Sequence, residues 1–166
     1  MQSDKKAIFL DRDGVLIRER GDYTYLLEDM IINEGVGEAL QKFSEAGFLL
    51  IVVSNQSGIA KGLYEKKDAD YLHLHLERNF KNHGVVLDEI YYCPHHPTVS
   101  ACICRKPDSQ LLEKAIARFG INASASWFIG DADRDVEAGK KAGVNTIKLE
   151  VNGSLSEIVR QILRCN

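Results

Sequence analysis

Short apolar runs alternate with longer amphipathic stretches along the chain. Ala7-Ile8-Phe9-Leu10 predicts a first strand. Val36, Leu40 and Phe43 recur at helical spacing, so a helix is expected over 36–46, with Gly47 as its stop. Leu49-Leu50-Ile51-Val52-Val53 has no polar alternation and reads as a parallel strand covered on both faces. Leu72, Leu76 and Phe80 mark another helical face that ends by Gly84. Ile90-Tyr91-Tyr92 is a short strand running into Cys93. Pro107 suits the first turn of a helix striped by Leu111, Leu112, Ala115, Ile116 and Phe119, closed at Gly120. Trp127-Phe128-Ile129 is a strand ending at Gly130-Asp131. Val136, Ala138 and Ala142 predict a helix closed by Gly143, although Gly139 lowers its propensity. Val144 to Leu149 gives a last strand. Ser154 with Glu157 forms a capping-box pattern ahead of Leu155, Ile158, Val159, Ile162 and Leu163. Strands alternating with helices imply right-handed crossovers and an α/β fold, with a mostly parallel sheet between two helical layers.

Length fixes the domain count. The 166 residues suit a single domain spanning 1–166. Hydrophobic residues at 45% and charged residues at 27% fit a globular protein. A formal charge of -3 gives no support to a nucleic-acid surface, which would show a basic excess or stripe. No apolar stretch reaches membrane-spanning length. Met1-Gln2-Ser3-Asp4-Lys5-Lys6 lacks the apolar core of a signal peptide, so a cytoplasmic protein is expected. Of the four cysteines, three crowd between Cys93 and Cys104, and Cys165 stands apart with no role assigned. A disulfide framework does not fit that setting.

The chemistry sits where the strands end. Asp11 and Asp13 follow the first strand, Ser54 the second, and Asp131 the fourth. Carboxyl ends of parallel strands lie on one edge, so these distant residues meet there. Asp11 and Asp13 suit a hard divalent cation and a division of labour between nucleophile and acid/base. Gly14 permits the tight turn and is expected to leave amides open to an anion. Ser54-Asn55-Gln56-Ser57-Gly58 offers donors to a phosphoryl oxygen. Arg105-Lys106 places two cations before a helix, whose N-terminal field would add to theirs. In Asp131-Ala132-Asp133-Arg134-Asp135, Asp131 points to a metal. Asp135, four residues on, shares its face and binds through water or holds Lys106; Asp133 only caps the helix. Each segment alone also reads as a solvated turn or an acidic first helical turn.

Asp-x-Asp-Gly, Ser-Asn, Lys and Gly-Asp-x-x-x-Asp, in that order, resemble the haloacid-dehalogenase-like phosphatases. Phe9-Leu10-Asp11-Arg12-Asp13-Gly14, Val52 to Gly62, Tyr91 to Pro97 and Cys102-Ile103-Cys104-Arg105-Lys106-Pro107 are similar to one branch. It holds the heptose 1,7-bisphosphate phosphatases and the histidinol-phosphate phosphatase domains. The resemblance covers about Ile8 to Val144. It implies a Rossmann-like three-layer sandwich and a Mg²⁺-dependent phosphatase working through an aspartyl-phosphate. By it, Asp11 is the nucleophile and Asp13 the acid/base. Ser54 and Lys106 bind the phosphoryl group; Arg105, Asn55 and Gln56 reach the substrate. Asp11, Asp131 and the Asp13 carbonyl hold Mg²⁺, with Asp135 in support. The expected substrate is a small phosphorylated sugar, the 7-phosphate of D-glycero-D-manno-heptose 1,7-bisphosphate, taken by a monomer without nucleic-acid or membrane partners. Histidinol phosphate is the near alternative; a non-catalytic zinc-stabilised module that binds a phosphorylated ligand is the distant one. Ala132 stands where many heptose enzymes carry lysine, a loss that Arg134 would have to offset.

Cys93, His95, Cys102 and Cys104 make a Cys₃His set suited to tetrahedral Zn²⁺. Four ligands imply a closed structural site, in a zinc-binding loop over about 93–104 beside Arg105 and Lys106. His96 competes with His95, and the resemblance favours His95. About twenty residues separate Gly14 from Val36 and about thirty separate Ser57 from Ile90. A cap domain would need about fifty. An open site is expected, rimmed by Gly21-Asp22-Tyr23 and the zinc loop.

Overall fold

A computed structural model describes residues 4–164, so Cys165 and the first three residues lie outside it. Among the described residues, five strands alternate with five α-helices. They are β1 (Lys6–Leu10), α1 (Val36–Glu45), β2 (Phe48–Asn55), α2 (Lys66–Asn82), β3 (Glu89–Cys93), α3 (Gln110–Phe119), β4 (Trp127–Gly130), α4 (Asp133–Lys141), β5 (Asn145–Lys148) and α5 (Ser156–Arg164). The strands form one sheet in the order β3-β2-β1-β4-β5. Every neighbouring pair is parallel.

The unbroken apolar strands follow from burial on both faces. Successive side chains alternate sides. In β1, Ile8 and Leu10 pack with Leu40 and Phe43 of α1, Leu72, Leu76 and Phe80 of α2, and Val159 and Ile162 of α5. Ala7 and Phe9 face the other way, onto Leu111, Leu112 and Ala115 of α3 and Ala138 of α4. Three helices on one face and two on the other make the three-layer sandwich. No large cap domain is inserted; residues 18–35 run as loop, with a short 3₁₀ turn at Leu27–Asp29.

β1 is central, with β2 on one side and β4 on the other. The chain order reverses there, which opens a crevice at the carboxyl ends of β1 and β4. Asp11 follows β1 and Asp131 follows β4.

Three local expectations need correction. Pro107 does not open a helix, since α3 starts at Gln110. The reason is Asn55. Its amide accepts from Lys106 N at 3.1 Å and donates to Lys106 O at 3.0 Å, so both main-chain groups are unavailable to a helical ladder. Arg105 and Lys106 therefore stand in a turn, closed by Asp108 N donating to Arg105 O at 2.8 Å. The Gly14 amide is not open to an anion, because it donates to Ile17 O at 2.8 Å. Gly14 is needed for space. It has φ +82°, and a Cβ there would lie 2.0 Å from Asp131 Oδ2. Ser154 Oγ accepts from the Ser156 amide at 3.2 Å, so its bond falls short of Glu157.

Candidate active site

The site grows from the buried Lys106, which is 1% exposed. Its ammonium lies 2.9 Å from Asp11 Oδ1 and 2.8 Å from Asp135 Oδ1, and donates to Val53 O at 2.7 Å. Asp135 is spent holding it: its second oxygen accepts from Ala132 N at 3.0 Å at the start of α4. Asp133 turns outward to Lys148 at 2.7 Å.

Asp11, Asp131 and Asp135 bring carboxylate oxygens within 4.8 Å of one another. Asp131 Oδ1 is buried with no hydrogen-bond partner. Burial pushes Asp11 from an ordinary 3.8 up to about 7, against the pull of Lys106 and with repulsion from Asp135 and Asp13. Burial, then Asp135, raises Asp131 as well. Lys106 touches Asp11 and Asp135 but not Asp131, so ionising all three carboxylates together needs positive charge beyond that ammonium. An orphaned buried carboxylate oxygen beside the Asp11 carboxylate fits a hard cation with oxygen ligands.

Asp13 points elsewhere. Arg12 grips it with Nε to Oδ2 at 3.1 Å and Nη2 to Oδ1 at 3.0 Å, and Gln56 Nε2 donates to Oδ2 at 3.1 Å. The Asp13 side chain is thus held by Arg12 and Gln56 and is not one of the acidic trio. Gln56 also donates to Ser54 Oγ at 2.8 Å and accepts from Tyr64 OH at 2.7 Å. Asn55 clasps the Lys106 backbone. Asn55 and Gln56 therefore have positioning contacts that their sequence context did not reveal.

Asp11 and Asp13 line a cavity of about 450 Å³. Gly21, Asp22 and Tyr23 border it as expected, and so does His96. Lys61, Arg105 and Arg134 supply positive charge to its lining, while Glu19 and Asp22 supply negative charge. Glu19 and Lys61 were missed because isolated charges in loops look like ordinary surface. Arg12 was missed although its place between two aspartates was a signal.

The second cluster stands at the end of β3. One ligand atom from each of Cys93, His95, Cys102 and Cys104 lies within 4.8 Å of the others. Cys104 Sγ is 3.1 Å from Cys93 Sγ, and His95 Nδ1 is 3.3 Å from Cys104 Sγ. His96 turns to Thr98 Oγ1 at 2.7 Å. Burial, then the neighbouring Cys104, pushes the Cys93 thiol up. A bound cation would reverse that preference and favour the thiolate.

A parallel sheet with a carboxylate beyond β1, a buried lysine against it and a second carboxylate beyond β4 defines a haloacid-dehalogenase-like phosphatase. The chain belongs to that superfamily, and residues 103–153 match the family described as HAD-hydrolase-like. Within it, the chain belongs to the branch of the heptose-1,7-bisphosphate 7-phosphatases. It is 40% identical over 148 residues to the D-glycero-beta-D-manno-heptose-1,7-bisphosphate 7-phosphatase of Haemophilus ducreyi, covering 86% of this chain and 81% of that one. It is 38% identical to the histidine biosynthesis bifunctional protein HisB of Legionella pneumophila over 87% of this chain, but spans only 41% of that protein. A crystal structure of D,D-heptose 1,7-bisphosphate phosphatase from B. bronchiseptica, complexed with magnesium and phosphate, superposes with a TM-score of 0.89. The two share 26% identity over 98% of this chain and 99% of that one. Among the described residues, no helix is long and apolar enough to cross a membrane.

Proposed function

We propose that this protein removes the 7-phosphate of D-glycero-D-manno-heptose 1,7-bisphosphate in a Mg²⁺-dependent reaction. The observation that carries the reading is the cavity lining. Asp11 and Asp13 share one cavity with Lys61, Arg105 and Arg134. A substrate with a second phosphate gives those further cations a partner, and Arg134 supplies charge that Ala132 lacks. The 40% identity to the Haemophilus phosphatase and the magnesium and phosphate held by the B. bronchiseptica enzyme support the same assignment.

Asp11 attacks phosphorus and forms an aspartyl-phosphate while the ester oxygen leaves. Asp13 gives that oxygen a proton, then takes one from the water that cleaves the intermediate. Lys106 neutralises Asp11 and the transferred group, aided by Ser54 and Arg105. Mg²⁺, held by Asp11, Asp131 and the Asp13 carbonyl, supplies charge stabilisation. Cys93, His95, Cys102 and Cys104 would hold Zn²⁺ in a closed structural site, which would brace the loop that carries Arg105 and Lys106. Chain 1–166 works as a single domain and a monomer in the cytoplasm, without nucleic-acid partners.

Glu19 and Asp22 favour a second reading, an amine-bearing substrate such as histidinol phosphate. Both acids already accept a local amide: Glu19 from Gly21 at 2.6 Å and Asp22 from Tyr23 at 2.7 Å. That leaves the bisphosphate as first choice. Steady-state kcat/KM on both heptose bisphosphate anomers and on histidinol phosphate decides between them. The bisphosphate is expected to lead by at least about tenfold, the size of one modest polar contact. A preference for histidinol phosphate would replace the substrate and keep the chemistry.

A further inference from the structure

Arg12 is 1% exposed, as deeply buried as the core phenylalanines. Burying a guanidinium is costly unless its donors are met. Besides its two bonds to Asp13, Nη2 donates to Thr24 O at 2.9 Å and Nη1 lies 3.1 Å from His73 Nε2. A guanidinium only donates, so His73 Nε2 carries the lone pair and Nδ1 the proton. Burial, then the Arg12 charge, pushes His73 down to about 3, so it stays a neutral acceptor at working pH. The His73 ring packs 5.1 Å from Tyr92, whose hydroxyl donates to Asp70 at 2.5 Å. Arg12 lines the cavity, but four of its guanidinium donors are taken by Asp13, Thr24 and His73, so it serves the carboxylate beside it more than a substrate phosphate.

We infer that Arg12 and His73 are positioning residues for Asp13, with α2 holding through them the carboxylate that moves protons at the end of β1. This rests on reading Asp13 as the acid/base. A misplaced Asp13 fails most where the leaving oxygen needs a proton. kcat/KM reports steps only through transfer to Asp11. An alkoxide leaving group therefore exposes the defect, while p-nitrophenolate, which departs without a proton, hides it.

The test uses the full Mg²⁺-loaded chain with heptose 1,7-bisphosphate and p-nitrophenyl phosphate. His73→Leu, which lacks the acceptor, is expected to lower kcat/KM on the bisphosphate about 10–100-fold and on the aryl ester less than about threefold. His73→Gln, whose carbonyl can accept from Arg12, is expected to return the bisphosphate rate to within about threefold of the parent. Equal losses on both substrates with His73→Leu, or no rescue by Gln, would overturn the inference. Asp13→Asn separates the two levels. It is expected to cost the bisphosphate about 10²–10⁴-fold and the aryl ester far less. If it lowers both equally, the acid/base reading itself is wrong. Should His73→Leu not fold, Arg12→Lys keeps the charge without the fork and is expected to show the same leaving-group dependence.

Discussion

Two ligand clusters stand at the carboxyl edge of the sheet and differ in almost every respect. The acidic trio lies beyond β1 and β4, opens through Asp11 onto the cavity, and leaves one oxygen unpartnered. The Cys₃His cluster lies beyond β3, and none of its four residues lines that cavity. One is hard, acidic and open, as a reacting centre must be. The other is soft and offers four ligands, the donor set a structural zinc site uses. They are nevertheless joined. Gln56 N donates to Cys93 O at 2.7 Å, Arg105 Nη1 to His95 O at 3.2 Å, and Asn55 holds the Lys106 backbone. Of the two cations, Arg105 touches the second cluster directly, and Lys106 is held beside it by Asn55.

The largest effect should come from the open cluster. Asp11→Asn keeps the shape and removes the nucleophile, so turnover should fall by roughly 10⁴-fold or more. Mass spectrometry of the quenched reaction should find a phosphoryl group on Asp11 in the parent and none in the variant. Residual turnover within about tenfold of the parent would mean that the trio is not the reacting centre.

The closed cluster should behave differently. Cys104→Ser removes one thiolate, and about one Zn²⁺ per chain should be lost. Because ligand binding and folding are linked, the thermal midpoint should drop by about 10 °C or more. kcat should fall about tenfold through displacement of Arg105 and Lys106, while Mg²⁺ affinity changes less than about threefold. Purified parent protein without zinc, or equal loss of Mg²⁺ affinity, would erase the distinction between reacting centre and clamp.

The two clusters were also unequally legible in the sequence. Cys93, His95, Cys102 and Cys104 lie within twelve residues, so spacing brought three cysteines and a histidine together, the resemblance chose His95 over His96, and the structure gathers these four. The trio required topology: Asp11 and Asp131 meet only because β1 and β4 are parallel neighbours. The apolar runs announced that sheet. What stayed hidden was pairing between side chains. Nothing in Val53-Ser54-Asn55 says that Asn55 will clasp Lys106, fifty-one residues away. His73 sits on the same helix as Leu72 and Leu76 and looks like a satisfied core histidine, which it also is. Such contacts depend on rotamers and on how two loops meet, which periodicity does not record.

The smallest effect tests the charge imbalance of the open cluster. Without metal, Asp11 is raised from 3.8 to about 7, chiefly by burial. A carboxyl group with a raised folded-state value stabilises the fold fully below about pH 4 and loses that contribution as pH climbs through about 7. Asn at position 11 is neutral throughout. Metal-free parent and Asp11→Asn proteins should therefore unfold at similar temperatures at pH 4, where both folded-state side chains are uncharged. At pH 8 the variant should be the more stable by roughly 5–10 °C. Saturating Mg²⁺ should close or invert the gap, since the ion stabilises the ionised carboxylate that Asn cannot offer. A gap that ignores both pH and Mg²⁺ would show that Lys106 alone balances Asp11. The open cluster would then need no cation, and its contrast with the cysteine clamp would rest on exposure rather than charge.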